Sequence, residues 1–217
     1  MVTTREFSGL LFDSDGVLID STAGVEAAWL AFARWYGLPA DDVLTRVHGR
    51  RSQDVIAYYA DRLPVPPDEA LDRFLATSMR EHAGFAVLPG AVELLATLPA
   101  RGWAVVTSGT RRVAQARLAA AGIPAPPVLV TAEDVPAGKP DPAPYRLAAQ
   151  RLGLDPAGCL AVEDAPAGLA SARGAGCATL ALLTTHRRDQ LDADLVATDL
   201  VTVRVDVVDG RFGVRVS

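Results

Sequence analysis

At 217 residues, half of them hydrophobic and 22% charged, the chain has a globular composition with room for a substantial core, which excludes a disordered segment. A net charge of −5, with no basic cluster longer than an arginine pair, argues against nucleic-acid binding. Cys159 and Cys177 each lie in or beside an apolar run, as small buried hydrophobes do, and a disulfide scaffold would carry more cysteines.

The first residues, MVTTREFSG, lack the pattern of a signal peptide, and no apolar stretch is long enough to span a bilayer, so a cytoplasmic protein is expected. Leu10-Leu11-Phe12 reads as a buried strand, ending in Asp13-Ser14-Asp15-Gly16. After Asp20 the period becomes helical. Val25, Ala28, Trp29, Phe32 and Tyr36 share one face, with Gly37-Leu38-Pro39 as the stop. A short helical run from Asp41 to Val47 leads into the polar loop His48-Gly49-Arg50-Arg51-Ser52, and two further helices follow, around Val55–Leu63 and Leu71–Met79. From Pro89-Gly90 onward helices and short apolar strands alternate. The strands are expected at Trp103–Thr107, Val128–Thr131, Leu160–Val162 and Ala178–Leu183. Repeated αβ units imply a parallel sheet covered by helices on both faces. The tail alternates about Asp209-Gly210 and reads as a β-hairpin. The fold class expected is therefore α/β, a Rossmann-like core of residues 1–19 and 86–217, with an inserted helical cap of residues 20–85 and a C-terminal hairpin.

In open parallel sheets, ligands bind beyond the carboxyl ends of the strands. Asp13 and Asp15, two apart on an extended chain, would point into one space, where their repulsion calls for a cation or a shared proton. Strand 103–107 ends in Thr107-Ser108-Gly109-Thr110, whose hydroxyls and backbone N–H groups suit phosphate oxygens. Strand 160–162 ends in Glu163-Asp164, two more carboxylates. Between them, Gly138-Lys139-Pro140 places a cation in a turn. Lys139 is the one lysine among 21 basic residues, which suits a position needing a compact ammonium and not a planar guanidinium.

The string DSDGVLIDS, followed in order by the Thr107, Lys139 and Asp164 segments, resembles the motifs of the haloacid dehalogenase superfamily, and the resemblance covers nearly the whole chain. It implies that Asp13 is a nucleophile and Asp15 a general acid/base. It implies that Thr107, with Ser108 and Gly109, binds phosphate and that Lys139 balances charge. Magnesium would be held by Asp13, the backbone carbonyl of Asp15 and Asp164, with Glu163 as a ligand or as a partner behind the ligands. WAVVTSGTRR, TAEDVPAGKPDPAPY, VEDAPAG and HGRRSQD are similar to the sugar and polyol phosphatases of that superfamily. That similarity makes His48 and Arg50 candidates for touching the substrate, against the alternative that Arg50 and Arg51 only solvate the next helix.

The leading expectation is magnesium-dependent hydrolysis of a small phosphorylated sugar, polyol or glycerol by a monomer. A phosphosugar mutase shares these motifs and is the first rival; an inactive binding module is the second. A nicotinamide-dependent dehydrogenase is disfavoured, since no G-x-G-x-x-G follows the first strand. Arg111 is expected to start a helix, and His82 and His186 to be ordinary surface groups.

Overall fold

The computed structural model describes residues 4–81 and 85–217; His82 lies outside them. Six parallel strands form the central sheet, in the order β6-β5-β2-β7-β8-β9. They are β2 (Gly9–Phe12), β5 (Trp103–Val106), β6 (Val128–Val130), β7 (Cys159–Glu163), β8 (Ala178–Leu182) and β9 (Leu195–Ala197). The first of them in sequence, β2, lies at the centre between β5 and β7. The chain winds outward on one side through β5 and β6 and on the other through β7, β8 and β9. That reversal opens a crevice at the carboxyl end of β2.

Both faces of β2 are buried, which is why its sequence shows no polar alternation. Leu10 and Phe12 join a layer with Val105, Val162, Leu180 and Leu95 of helix α5 (Ala91–Ala96). Leu11 faces the opposite layer, with Tyr145 and Ala148 of α7 (Ala143–Leu152) and Ala172 of α8 (Pro166–Ala175). Helix α6 (Arg111–Ala120) contributes Leu118 to the first layer. The C-terminal hairpin, β10 (Val203–Val208) and β11 (Arg211–Val216), is present, and it gains a third strand that the sequence pattern did not announce, β1 (Arg5–Phe7). Phe212 and Val214 close the first layer from below.

Helices α1 (Thr22–Tyr36), α2 (Ala40–Leu44), α3 (Ser52–Tyr58) and α4 (Pro67–Glu81) gather around an apolar cluster of their own, including Trp29, Phe32, Val43, Ile56, Tyr59 and Phe74. Tyr59, fully buried, donates its hydroxyl to Asp42 at 2.8 Å. The segment enters through β3 (Ile19–Asp20) and returns through β4 (Ala86–Val87), and these two short strands pair antiparallel. Entry and exit therefore lie side by side.

Candidate active site

Side chains alternate along a strand, so Asp13 continues the side of Leu11 and Glu163 the side of Ala161. Both carboxylates thus emerge over the layer that holds Tyr145. Lys139 arrives there from the loop before α7. Its Nζ lies 2.7 Å from Asp13 Oδ1, 2.6 Å from Glu163 Oε1 and 3.1 Å from the Val106 carbonyl oxygen. An ammonium has three N–H donors, and all three are used. Tyr145 donates its hydroxyl to the same Glu163 oxygen at 2.6 Å. All of these groups are buried. Burial raises the pKa of Asp13 well above the ordinary carboxylate range, opposed by Lys139 and reinforced by Glu163 and Asp164. For Lys139, burial opposes the charge, but Asp13 and Glu163 outweigh it and the net shift is upward.

After Asp13 the chain turns sharply, with the N–H groups of Leu18 and Ile19 both donating to the Ser14 carbonyl. Gly16 adopts φ +81°, and a Cβ there would stand 2.1 Å from Asp164 Oδ2. Only glycine lets the two loops approach so closely. Asp15 lines the same cleft as Asp13, but its Oδ1 accepts from Ser21 Oγ and from Arg117 Nη1, each at 2.5 Å. Asp164 accepts from Thr185 Oγ1 at 2.5 Å through Oδ2, and Thr184 Oγ1 donates to the Gly16 carbonyl at 2.5 Å.

Thr107, buried at the end of β5, accepts the Gly109 N–H on Oγ1 at 3.0 Å, which leaves its own proton to donate. The Gly109 N–H is thereby engaged within the loop. Ser108 likewise turns its hydroxyl to the Gly49 carbonyl at 2.8 Å, a contact from the core to the helical segment. His48 and Arg50 both line the cleft. His48 Nε2 sits 3.6 Å from Glu26, and Arg50 is exposed. Arg111 does open α6, and its guanidinium pairs with Asp134 instead of entering the cleft.

Several participants were not read from the sequence. Arg117 looked like one of many helix arginines; its signal was its place on the apolar face beside Ala114, Leu118 and Ala121. Thr184 and Thr185 lie just beyond β8, after Leu183, where the same strand-end rule would have found them. His186 departs from the surface role expected of it. It is half-buried, its Nδ1 is 2.9 Å from Thr185 Oγ1, and its ring meets that of His48 edge-on with centroids 5.7 Å apart. Burial lowers its pKa, and His48 adds to that.

Oxygens of Asp13, Glu163 and Asp164 lie within 4.8 Å of one another. Asp164 Oδ1 is buried with no hydrogen-bond partner, an arrangement that is costly for a carboxylate unless a cation meets it. Glu163 is otherwise occupied, Oε1 by Lys139 and Tyr145 and Oε2 by the Asp164 N–H. The free oxygens belong to Asp13 and Asp164, and an all-oxygen set suits a hard divalent ion.

Without a cation, burial and then Glu163 push the Asp164 pKa from 3.8 up to about 7. A folded-state value raised above the unfolded one means that the stability this group contributes is complete below the unfolded pKa and is lost as pH rises to about 7. A hard divalent cation should therefore raise Tm more at pH 8 than at pH 5.5. At a hundredfold excess over Kd, binding adds about 2.7 kcal/mol, on the order of 5–10 °C for a chain of this length. Equal shifts at the two pH values in a thermal melt would remove these carboxylates as the binding groups.

A parallel α/β sheet with carboxylates, a buried lysine and a hydroxyl loop gathered at its switch point defines a hydrolase-type site. The family model of haloacid dehalogenase-like hydrolases matches residues 7–176, and the chain belongs to that family. It is 42% identical over 201 residues to hexitol phosphatase A of Escherichia coli strain K12, covering 90% of this chain and 93% of that protein. It is 35% identical to glycerol-1-phosphate phosphohydrolase 2 of Saccharomyces cerevisiae, over 94% of this chain and 88% of that one. The crystal structure of a hydrolase from Pseudomonas syringae superposes with a TM-score of 0.79 at 28% identity, covering 89% of this chain and 94% of the other.

Proposed function

We propose that this hydrolase cleaves the phosphate monoester of a small sugar or polyol, using magnesium and a phosphorylated Asp13. The observation that carries the reading is Asp13 itself. It is a buried carboxylate at the end of the central strand, with one oxygen held by Lys139, Asp164 beside it, and Ser108 and Gly109 of the loop after β5 lining the same cleft. The names of the two relatives, a hexitol phosphatase and a glycerol-1-phosphate phosphohydrolase, support the substrate class.

In this reading the Thr107 hydroxyl donates to a phosphoryl oxygen, and Lys139 keeps Asp13 oriented through Oδ1. Asp13 Oδ2 attacks phosphorus as the bond to the leaving oxygen breaks, and Asp15 passes its proton to that oxygen. Asp15, now ionised, takes a proton from water. The resulting hydroxide attacks phosphorus, and the bond to Asp13 breaks to release inorganic phosphate. Magnesium held by Asp13, Asp164 and the Asp15 carbonyl would neutralise phosphate charge. The helical segment 20–85 acts as a cap over the core, with His48 and Arg50 at the end of the cleft facing the rest of the substrate.

The test is phosphate release from a panel of hexitol, glycerol and hexose phosphates, with magnesium and with excess chelator. Release from at least one polyol or sugar phosphate, stopped by the chelator and restored by magnesium, is expected. Full turnover in verified absence of metal would refute the metal assignment. Turnover that begins only with added sugar bisphosphate would identify a mutase instead.

A further inference from the structure

Arg51 is the one arginine of the helical segment that is buried outright, among the described residues, and its charge is met by Asp54 of the same segment while three core carbonyls take its other donors. It stands just before α3, in extended conformation. A guanidinium carries five N–H donors in a planar fork, and here each of the five has an acceptor. Nε donates to Asp54 Oδ2 at 2.7 Å and Nη2 to Asp54 Oδ1 at 2.8 Å, a bidentate pair within the segment. The remaining three donors cross to the core. Nη1 reaches the carbonyls of Val135 at 3.0 Å and Ala132 at 3.4 Å, and Nη2 reaches that of Pro136 at 3.1 Å.

The residues contacted are not arbitrary. Ala132, Val135 and Pro136 form the loop that runs on through Gly138 to Lys139, and Lys139 holds Asp13. Gly138 is itself shaped to the arginine: a Cβ there would lie 2.6 Å from Arg51 Nε and 2.7 Å from its Cγ. Two residues upstream of Arg51, the Gly49 carbonyl accepts from Ser108 in the loop beside Thr107. One short turn of the helical segment therefore touches both core loops that frame Asp13.

We propose that Arg51 is a positioning residue that latches the helical segment onto the Lys139 loop, so that the nucleophile's ammonium partner is fully located only when the segment is seated. This deepens the phosphatase reading and rests on it for its kinetic consequence, though not for its structural one. Three loop carbonyls and a guanidinium face return to water when the segment lifts. Seating it exchanges those water contacts for charge-assisted bonds made by a pre-formed fork, with Asp54 holding the fork in plane. Lysine keeps the charge but has neither the plane nor the donor number.

Two measurements on the full chain test the latch. In Arg51→Ala, amide hydrogen exchange over 132–138 should rise severalfold while that of β5 and β7 stays at the wild-type rate. Unchanged exchange over 132–138 would overturn the proposal, whatever the enzyme's activity. For turnover, kcat should fall on the order of tenfold to a hundredfold for Arg51→Ala. Arg51→Lys should fall similarly, on a polyol phosphate and on p-nitrophenyl phosphate alike, with KM changed much less. Millimolar guanidinium should partly restore the alanine variant, although at any concentration it acts as a denaturant on a merely weakened fold. Wild-type kcat in the lysine variant, or a loss confined to the KM of the larger substrate, would show that Arg51 reads substrate or nothing at all. A wild-type chain that releases phosphate from no substrate would sink the phosphatase reading alone, since the exchange result stands without turnover.

Discussion

Asp13→Asn is expected to abolish turnover, lowering kcat on the order of 10⁴–10⁶-fold while the protein stays folded. Losses of this size follow removal of a nucleophile where the rest of the site still binds and polarises substrate. The amide matches the carboxylate in volume, so packing of the layer that holds Leu11 and Tyr145 is untouched, but its oxygen is a far weaker nucleophile. Stability should move the other way. Asp13 is one of three buried carboxylates whose charges crowd one another, and burial already raises its pKa. Removing that charge leaves Lys139 paired with Glu163 at 2.6 Å. In chelator, Tm of the variant should equal or exceed that of wild type. Steady-state phosphate release and a thermal melt on the same preparation check both halves. Residual activity above a hundredth of wild type would sink the covalent route.

Lys139→Arg is expected to be nearly as damaging as Lys139→Ala, although it keeps the charge. The ammonium fills a site that is 2% exposed and bounded by acceptors at 2.6, 2.7 and 3.1 Å. A guanidinium is wider and planar, so it cannot meet three acceptors converging on one point and must displace Asp13, Glu163 or the Val106 carbonyl. A kcat loss of about 10²–10³ is expected, the size seen when one preorganised donor is taken from a reaction centre. The two variants should differ in stability. Alanine leaves Asp13 and Glu163 buried without their cation, which costs about 3–5 kcal/mol. Arginine keeps a cation near them and should cost less. Wild-type kinetics in the arginine variant would mean that the lone lysine is an accident of composition.

The parts of the site that were legible in the sequence are those in which one residue's chemistry is informative at its own position. Asp13, Thr107 and Asp164 each end an apolar strand, and strand ends in a parallel sheet converge. Their order along the chain therefore already implied a shared space. Gly16 announced a turn but not its cause. The crowding that demands glycine comes from Asp164, 148 positions away in the sequence. Arg117 was one arginine among many in helices, marked only by its place on an apolar face, and the β1 strand was hidden in a segment of three residues too short to show a period. His186 looked isolated because its neighbour His48 belongs to another element.

By itself, the sequence determined the αβ alternation, the helical insertion, the tail hairpin and the row of acidic and hydroxyl strand ends. Each of these is a local pattern, written in hydrophobic period, in turn residues and in side-chain type. Only the tertiary structure decided which carboxylates share Lys139, that Asp15 is held by Arg117 and Ser21, and that Arg51 faces the core and not solvent. Arginine is compatible with both surface and interior, and the choice depends on whether acceptors meet its fork. Three of those acceptors are backbone carbonyls of the core, which every residue carries and no sequence pattern distinguishes.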